Sequence, residues 1–202
     1  MSEKAVNVQL MQRSNRIKVL SLIRRYEVLS RPQISEMTGL SLSSVTNIIN
    51  YLLSKRLVSG KGVEDVSRVG RKADLIVFDH TSYRFVLVSV KSDEITAYLT
   101  DMMGGVLSET KTVPHDLSPA NVEASILAMT EKLSDDDTIA VGITASGFVD
   151  GGRICSSSLG WDFVDLHSPL EDKIKKTVYV ENTTIVKAAY EFYCKGEMSG
   201  AN

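Results

Sequence analysis

The sequence predicts an α/β protein in two parts: a winged helix-turn-helix over residues 1–80, then a β-rich α/β lobe over 83–202. Three observations predict it. Helical segments before Ser54 carry matched start and stop residues at Ser30–Gln33, Gly39 and Ser41. From about Tyr83 the apolar period changes from that of helices to that of strands. Charge divides at the same place. Residues 1–80 hold 13 Lys and Arg against 7 Asp and Glu, a balance of +6; residues 81–202 hold 10 against 18, a balance of −8, so the whole chain is −2. A basic head on an acidic body is the electrostatic footprint of a nucleic-acid binder.

The elements follow in order. Ser14 is expected to cap a first helix running to about Tyr26, with Ile17, Leu20 and Ile23 facing inward. Ser30-Arg31-Pro32-Gln33 reads as a capping box with Pro in the first turn, opening a short helix anchored by Ile34 and Met37. Gly39 ends it, as a residue that takes φ > 0 at little cost. Ser41 caps the third helix, so the last two helices form a helix-turn-helix. Leu57-Val58 and Leu75–Phe78 read as two strands of a hairpin, with Arg68, Gly70, Arg71 and Lys72 near its tip or return arm. That is the wing. Beyond it, Arg84–Val90, Glu94–Asp101 and Val106–Val113 read as strands, and Pro119 opens a helix to about Leu133. Thr138–Ile143 is a buried strand by its apolar run. A Gly-rich hairpin (146–154), a helix near 168–175, a strand at 178–180 and a helix from about Thr184 complete the lobe.

The third helix, within GLSLSSVTNIINYLL, has two unlike faces. Leu42, Val45, Ile48, Ile49, Leu52 and Leu53 form the apolar stripe. The rest is Ser43, Ser44, Thr46, Asn47 and Asn50. A helix face that meets only water usually carries Lys and Glu. Short uncharged hydrogen-bonding side chains instead let a backbone approach base edges in a major groove. A merely solvated face is the competing reading; the capped preceding helix, the basic hairpin and the +6 head argue against it. Arg68, Arg71 and Lys72 are expected on phosphates or in the minor groove.

Two cysteines without CxxC spacing, Cys155 and Cys194, argue against a zinc module and a secreted disulfide scaffold, and are expected as reduced thiols. The N-terminus lacks a signal-peptide apolar core, and no apolar run approaches the ~20 residues of a membrane span. The expected location is cytoplasmic, with no membrane partner. His80, His115 and His167 share no ligand spacing and are expected at the surface rather than on a metal.

Helix-turn-helix, then GRKA, then VGITASGFVDGGRI, SLGW and VYVENTT together resemble the ROK family of repressors, open reading frames and sugar kinases, within it the sugar-responsive repressors. Gly142-Ile143 and Ser146–Asp150 look like its GI..PG.VD segment, with Ser146 where Pro is usual. Leu159-Gly160-Trp161 looks like its sugar-side GW, and Val180-Glu181-Asn182 like the start of V.NDAN. The resemblance implies the first lobe of an actin-like, ribonuclease-H-like sugar-kinase fold from about residue 83. It also implies that the chain stops near the end of that lobe, without the half that carries the family's remaining adenosine contacts and its zinc motif.

Departures from the kinases of that family imply no catalysis. Where they carry a DIGGT-type phosphate loop, this chain has Ser89-Val90-Lys91-Ser92-Asp93; the Asp and both glycines are gone. Where they place the catalytic Asp, it has Thr183, whose hydroxyl cannot serve as a base near neutral pH. No cofactor is expected. Ser146, Gly147 and Asn182, with Trp161 nearby, remain candidates for binding a sugar or sugar-phosphate effector; the other reading makes Asn182 a helix cap and Trp161 core. The expectation is a transcriptional regulator, most simply a repressor of carbohydrate genes, bound as a homodimer to double-stranded DNA at an inverted repeat. The alternative is a sugar-binding or vestigial kinase-like protein whose helix-turn-helix serves association.

Overall fold

A computed structural model of the chain describes residues 3–63 and 74–192. The chain divides into two compact units, Met1–Ser82 and Tyr83–Asn202.

The first unit is built from α1 (Glu3–Tyr26), β1 (Val28–Ser30), α2 (Arg31–Thr38), α3 (Leu42–Ser54), β2 (Val58–Val63) and β3 (Asp74–Phe78). Its core is Val19 and Ile23 of α1, Ile34 of α2, and Val45, Ile49 and Leu52 of α3, closed by Leu29, Val58 and Ile76. The first helix differs from expectation. Ser14 lies inside it rather than at its start, and Ile17 is 56% exposed while Val19 is fully buried. Val19 and Ile23 stand one helical turn apart on the core side, and Ile17 falls off that stripe. The hairpin β2–β3 is antiparallel, with Val58 opposite Phe78. A short strand the sequence did not signal, β1, pairs with β3 on its other side, giving the order β1-β3-β2. The expected tip of the wing, with Arg68, Gly70, Arg71 and Lys72, lies outside the described residues.

The second unit contains β4 (Arg84–Val90), β5 (Ile95–Asp101), β6 (Val106–Thr112), α4 (Pro119–Leu133), β7 (Thr138–Ala145), β8 (Phe148–Asp150), β9 (Arg153–Ser156), β10 (Trp161–Asp165), α5 (His167–Ile174), β11 (Thr177–Asn182) and α6 (Thr183–Tyr190). Five strands form one sheet in the order β11-β7-β4-β5-β6. The antiparallel meander β4–β5–β6 supplies one half; β7 and β11 add in parallel on the other side of β4. Parallel neighbours need crossovers, and α4 and α5 provide them. Val86, Val88, Val90, Val141 and Ile143 of the sheet share a core with Val122, Ile126 and Met129 of α4. Strands β8, β9 and β10 make a second, small antiparallel sheet. The sequence signalled the β8–β9 hairpin but not β10, whose ladder slips between Trp161 and Val164.

Candidate functional site

Helix α3 is held by local chemistry at both sides of the turn. Gln33 Oε1 accepts from the Ser30 N–H and from Ser30 Oγ, each at 2.8 Å, fixing the start of α2. Gly39 has φ 72°, and its N–H donates to the Ser35 carbonyl at 2.9 Å. Lys18 Nζ reaches across from α1 to the Thr38 carbonyl at 2.9 Å, placing a cation on the C-terminal end of α2. Ser35 Oγ donates to the Leu40 carbonyl at 2.6 Å. Ser41 Oγ then accepts from the Ser44 N–H at 3.2 Å as the cap of α3. The Arg16 guanidinium lies 3.7 Å from the Tyr51 ring centroid, tying α1 to the far end of α3.

Held this way, α3 buries Val45, Ile49 and Leu52 and turns Ser43, Asn47 and Asn50 outward along one stripe. The five polar candidates are not equivalent. Ser44 Oγ bonds Ser41 Oγ at 2.8 Å, and Thr46 Oγ1 donates back to the Leu42 carbonyl at 2.8 Å, so both hydroxyls serve the helix itself. Ser43 Oγ lies 3.0 Å from Ser41 Oγ at the surface. Asn47 and Asn50 are exposed, with no side-chain hydrogen bond among the described residues. Leu42 and Leu53, both assigned to the apolar stripe, are 52% and 36% exposed. Val45, Ile49 and Leu52 are the buried residues of that stripe and Ile48 packs half-buried beside them, because a 13-residue helix resting on two others buries a narrow band. Leu42 is therefore a surface methyl group beside Thr46, which the periodicity of the sequence concealed. The near end of the wing is fastened to α2 by Arg31 Nη1 and Asp74 Oδ2 at 3.3 Å; Arg68, Arg71 and Lys72 lie outside the described residues.

In the second unit, the Ser89–Asp93 loop, Ser146, Gly147, Ser158, Thr183 and Thr184 border a hollow of about 370 Å³. Ser146 Oγ and Ser158 Oγ are 2.7 Å apart. Gly147 has φ 117°, and a Cβ there would stand 2.3 Å from the Cys155 carbonyl oxygen, so the turn admits only glycine. Asn182 is the N-cap of α6: its Oδ1 accepts from the Thr184 and Ile185 N–H groups at 2.6 and 3.1 Å, and its Nδ2 donates to the Gly147 carbonyl. The amide is thus engaged at both ends, with one N–H left for a ligand. Trp161 is 5% exposed and donates from Nε1 to the Leu117 carbonyl at 2.7 Å, so it is core and does not border this hollow. His167 Nε2 sits 3.8 Å from Glu171 Oε2 in an i,i+4 pair, and His80 and His115 are exposed. No described helix is long and apolar enough to cross a membrane.

No protein-family model matches the sequence. Individual proteins do. The xylose repressor of Bacillus spizizenii is 27% identical over 176 residues, covering 83% of this chain and 46% of that protein. The transcriptional dual regulator NagC of Escherichia coli K12 is 27% identical over 199 residues, 93% of this chain and 48% of NagC. Among solved structures, a ROK family transcriptional regulator, a homolog of the Escherichia coli MLC protein, superposes with a TM-score of 0.76. It covers 90% of this chain and 48% of its own length at 22% identity, which is a likeness of fold. The chain is thus similar to repressors of the ROK family and shares the fold of a ROK transcriptional regulator. It spans about half the length of the ROK repressors it matches. The match runs through both units, helices and sheet alike, and the α/β fold class expected from the sequence holds.

Proposed function

We propose that this chain is a sequence-specific DNA-binding transcription regulator, acting as a repressor of carbohydrate-metabolism genes. The observation that carries the reading is the α3 face. Ser43, Asn47 and Asn50 project from a helix whose opposite side is locked into a three-helix core. A rigid helix with short polar side chains is what direct readout in a major groove requires. Asn pairs through its amide with adenine N6 and N7, and Leu42 offers an apolar contact to a thymine methyl. Arg68, Arg71 and Lys72 would hold phosphates or enter the minor groove. The named repressors among its relatives support the same reading. A homodimer on an inverted repeat follows from the two-fold habit of such proteins.

The second unit is proposed as a sensing and association lobe, without kinase activity. Thr183 and the glycine-free Ser89–Asp93 loop border one hollow, and neither supplies the acid–base or phosphate-cradling groups that phosphoryl transfer needs. The hollow's hydroxyls suit a sugar or sugar phosphate. Thermal shift with a sugar panel, with and without ATP and magnesium, tests this. Stabilisation by sugar alone supports a sensor, and any ATP-dependent product overturns the non-catalytic reading.

The decisive experiment is selection of duplexes from a randomised pool, with affinities read by fluorescence anisotropy at about 150 mM salt. Enrichment of an inverted repeat bound at least ~1000-fold tighter than random DNA is the expected result. No enrichment, with binding that vanishes on adding salt, would leave the basic head a non-specific polyelectrolyte contact.

A further inference from the structure

Strand β6 is one edge of the five-stranded sheet. An edge offers a row of unpaired backbone donors and acceptors to any strand that fits. On β6 the ladder to β5 is regular from Ser108, opposite Leu99, to Thr112, opposite Ile95. It slips between Leu99 and Thr100, which leaves Leu107 without a partner on β5, and Pro114 follows the other end. The usable edge is therefore Ser108–Thr112, and its midpoint is Thr110. Apolar residues flank it: Leu107 is 53% exposed and Val113 76%.

A strand that pairs antiparallel with a copy of itself has a two-fold axis at one residue, and the sequence decides which. Centring on Glu109 sets Glu109 against Glu109; centring on Lys111 sets Lys111 against Lys111. Like charges directly opposite are destabilising. Centring on Thr110 sets Glu109 against Lys111 of the second copy, and Lys111 against its Glu109. That register also pairs Ser108 with Thr112, uses the whole regular stretch, and brings Leu107 toward Val113 at both ends. Glu109 and Lys111 lie on one face of the strand, 3.1 Å apart. Thr110 points to the other face, where its Oγ1 accepts from Lys132 of α4 at 3.2 Å.

We infer that β6 is a self-complementary dimerisation seam, with two copies pairing antiparallel about Thr110 and joining their sheets. The partner is a second copy of this chain. This deepens the dimer of the proposed function and rests on that part of it alone. The test omits DNA, so failure of the seam and failure of the DNA reading stay distinguishable.

Sedimentation velocity of the full 202-residue chain across a concentration series provides the test. Four forms are compared: parent, Glu109→Lys, Lys111→Glu, and the double exchange Glu109→Lys/Lys111→Glu, with circular dichroism melts as the folding check. The parent and the double exchange are expected as dimers. Each single variant sets like charges together twice, and its dimerisation should be weaker by about tenfold. As a register check, Thr110→Cys should oxidise to a covalent dimer faster than the parent with its own Cys155 and Cys194. The seam is overturned if the parent is a monomer, if the single variants dimerise like the parent, or if the double exchange stays as weak as the singles.

Discussion

Asn47 and Asn50 are free to bond outward because the helix they stand on makes no use of them, whereas Ser44 and Thr46 close bonds within their own turn. The residue-level expectations follow. Asn47→Ala should lose about 1–3 kcal/mol on the selected operator and little on scrambled DNA. Equal loss on both in an anisotropy titration would contradict base readout. Arg71→Ala should weaken binding to every sequence and reduce the slope of log affinity against log salt by about one. Gly147→Ala forces a Cβ against the Cys155 carbonyl at an unfavourable φ, so a melt should show at least about 1–3 kcal/mol of destabilisation. The part each residue plays was unevenly legible. The polar identities on α3 can be read off the sequence, but which hydroxyls the helix consumes depends on rotamers. Asn182 is the sharper case: the sequence offered it as a cap or as a ligand, and two hydrogen bonds from the first turn of α6 make it a cap while one amide N–H stays open to a ligand.

Among the elements, those with chemistry at their ends were the legible ones. Ser30 with Gln33, Gly39 and Ser41 mark α2 and α3 within a few residues, and each mark is a local hydrogen bond found where the pattern puts it. The start of α1 was misplaced because Ser14, a good cap, is also tolerated on the exposed side of a helix interior. Strands β1 and β10 escaped because β1 has three residues and β10 is irregular; neither shows enough alternation to stand out. Their pairing is set by distant partners, β3 and β9, which no local window contains. Two substitutions test the anchoring of α3. Ser41→Ala removes the cap bond and should cost about 1 kcal/mol in denaturant unfolding. Arg16→Ala removes the stacked guanidinium from Tyr51 and should cost about 0.5–1 kcal/mol. If α3 is read correctly, Arg16→Ala weakens DNA binding only as far as it loosens the helix.

The charge asymmetry and the change of apolar period are visible across the whole sequence and mark the two units, while the strand order of the lobe depends on crossovers that sequence periodicity does not specify. Acid sensitivity also belongs to this scale. Burial raises the carboxyl pKa of Asp79, but hydrogen bonds from Ser82 and Thr81 outweigh it; burial likewise raises that of Asp165, and bonds from Ser168 and His167 outweigh it. Both therefore sit below the ordinary 3.8. A depressed folded value contributes stability that is complete above the unfolded pKa and lost as pH falls through the folded one. Urea midpoints should hold steady from neutrality to about pH 5 and decline below about pH 4, and Asp165→Asn should flatten part of that decline. Strand order carries a further consequence, in time rather than in energy. The β4–β5–β6 meander closes short loops between neighbours, whereas β7 and β11 must each wait for a helical crossover before they can dock in parallel. The lobe should therefore nucleate between Arg84 and Thr112. In pulsed hydrogen exchange during refolding, amides of the meander should become protected before those of Thr177–Asn182. On a ribosome, the meander emerges complete before the strands that extend it have been made.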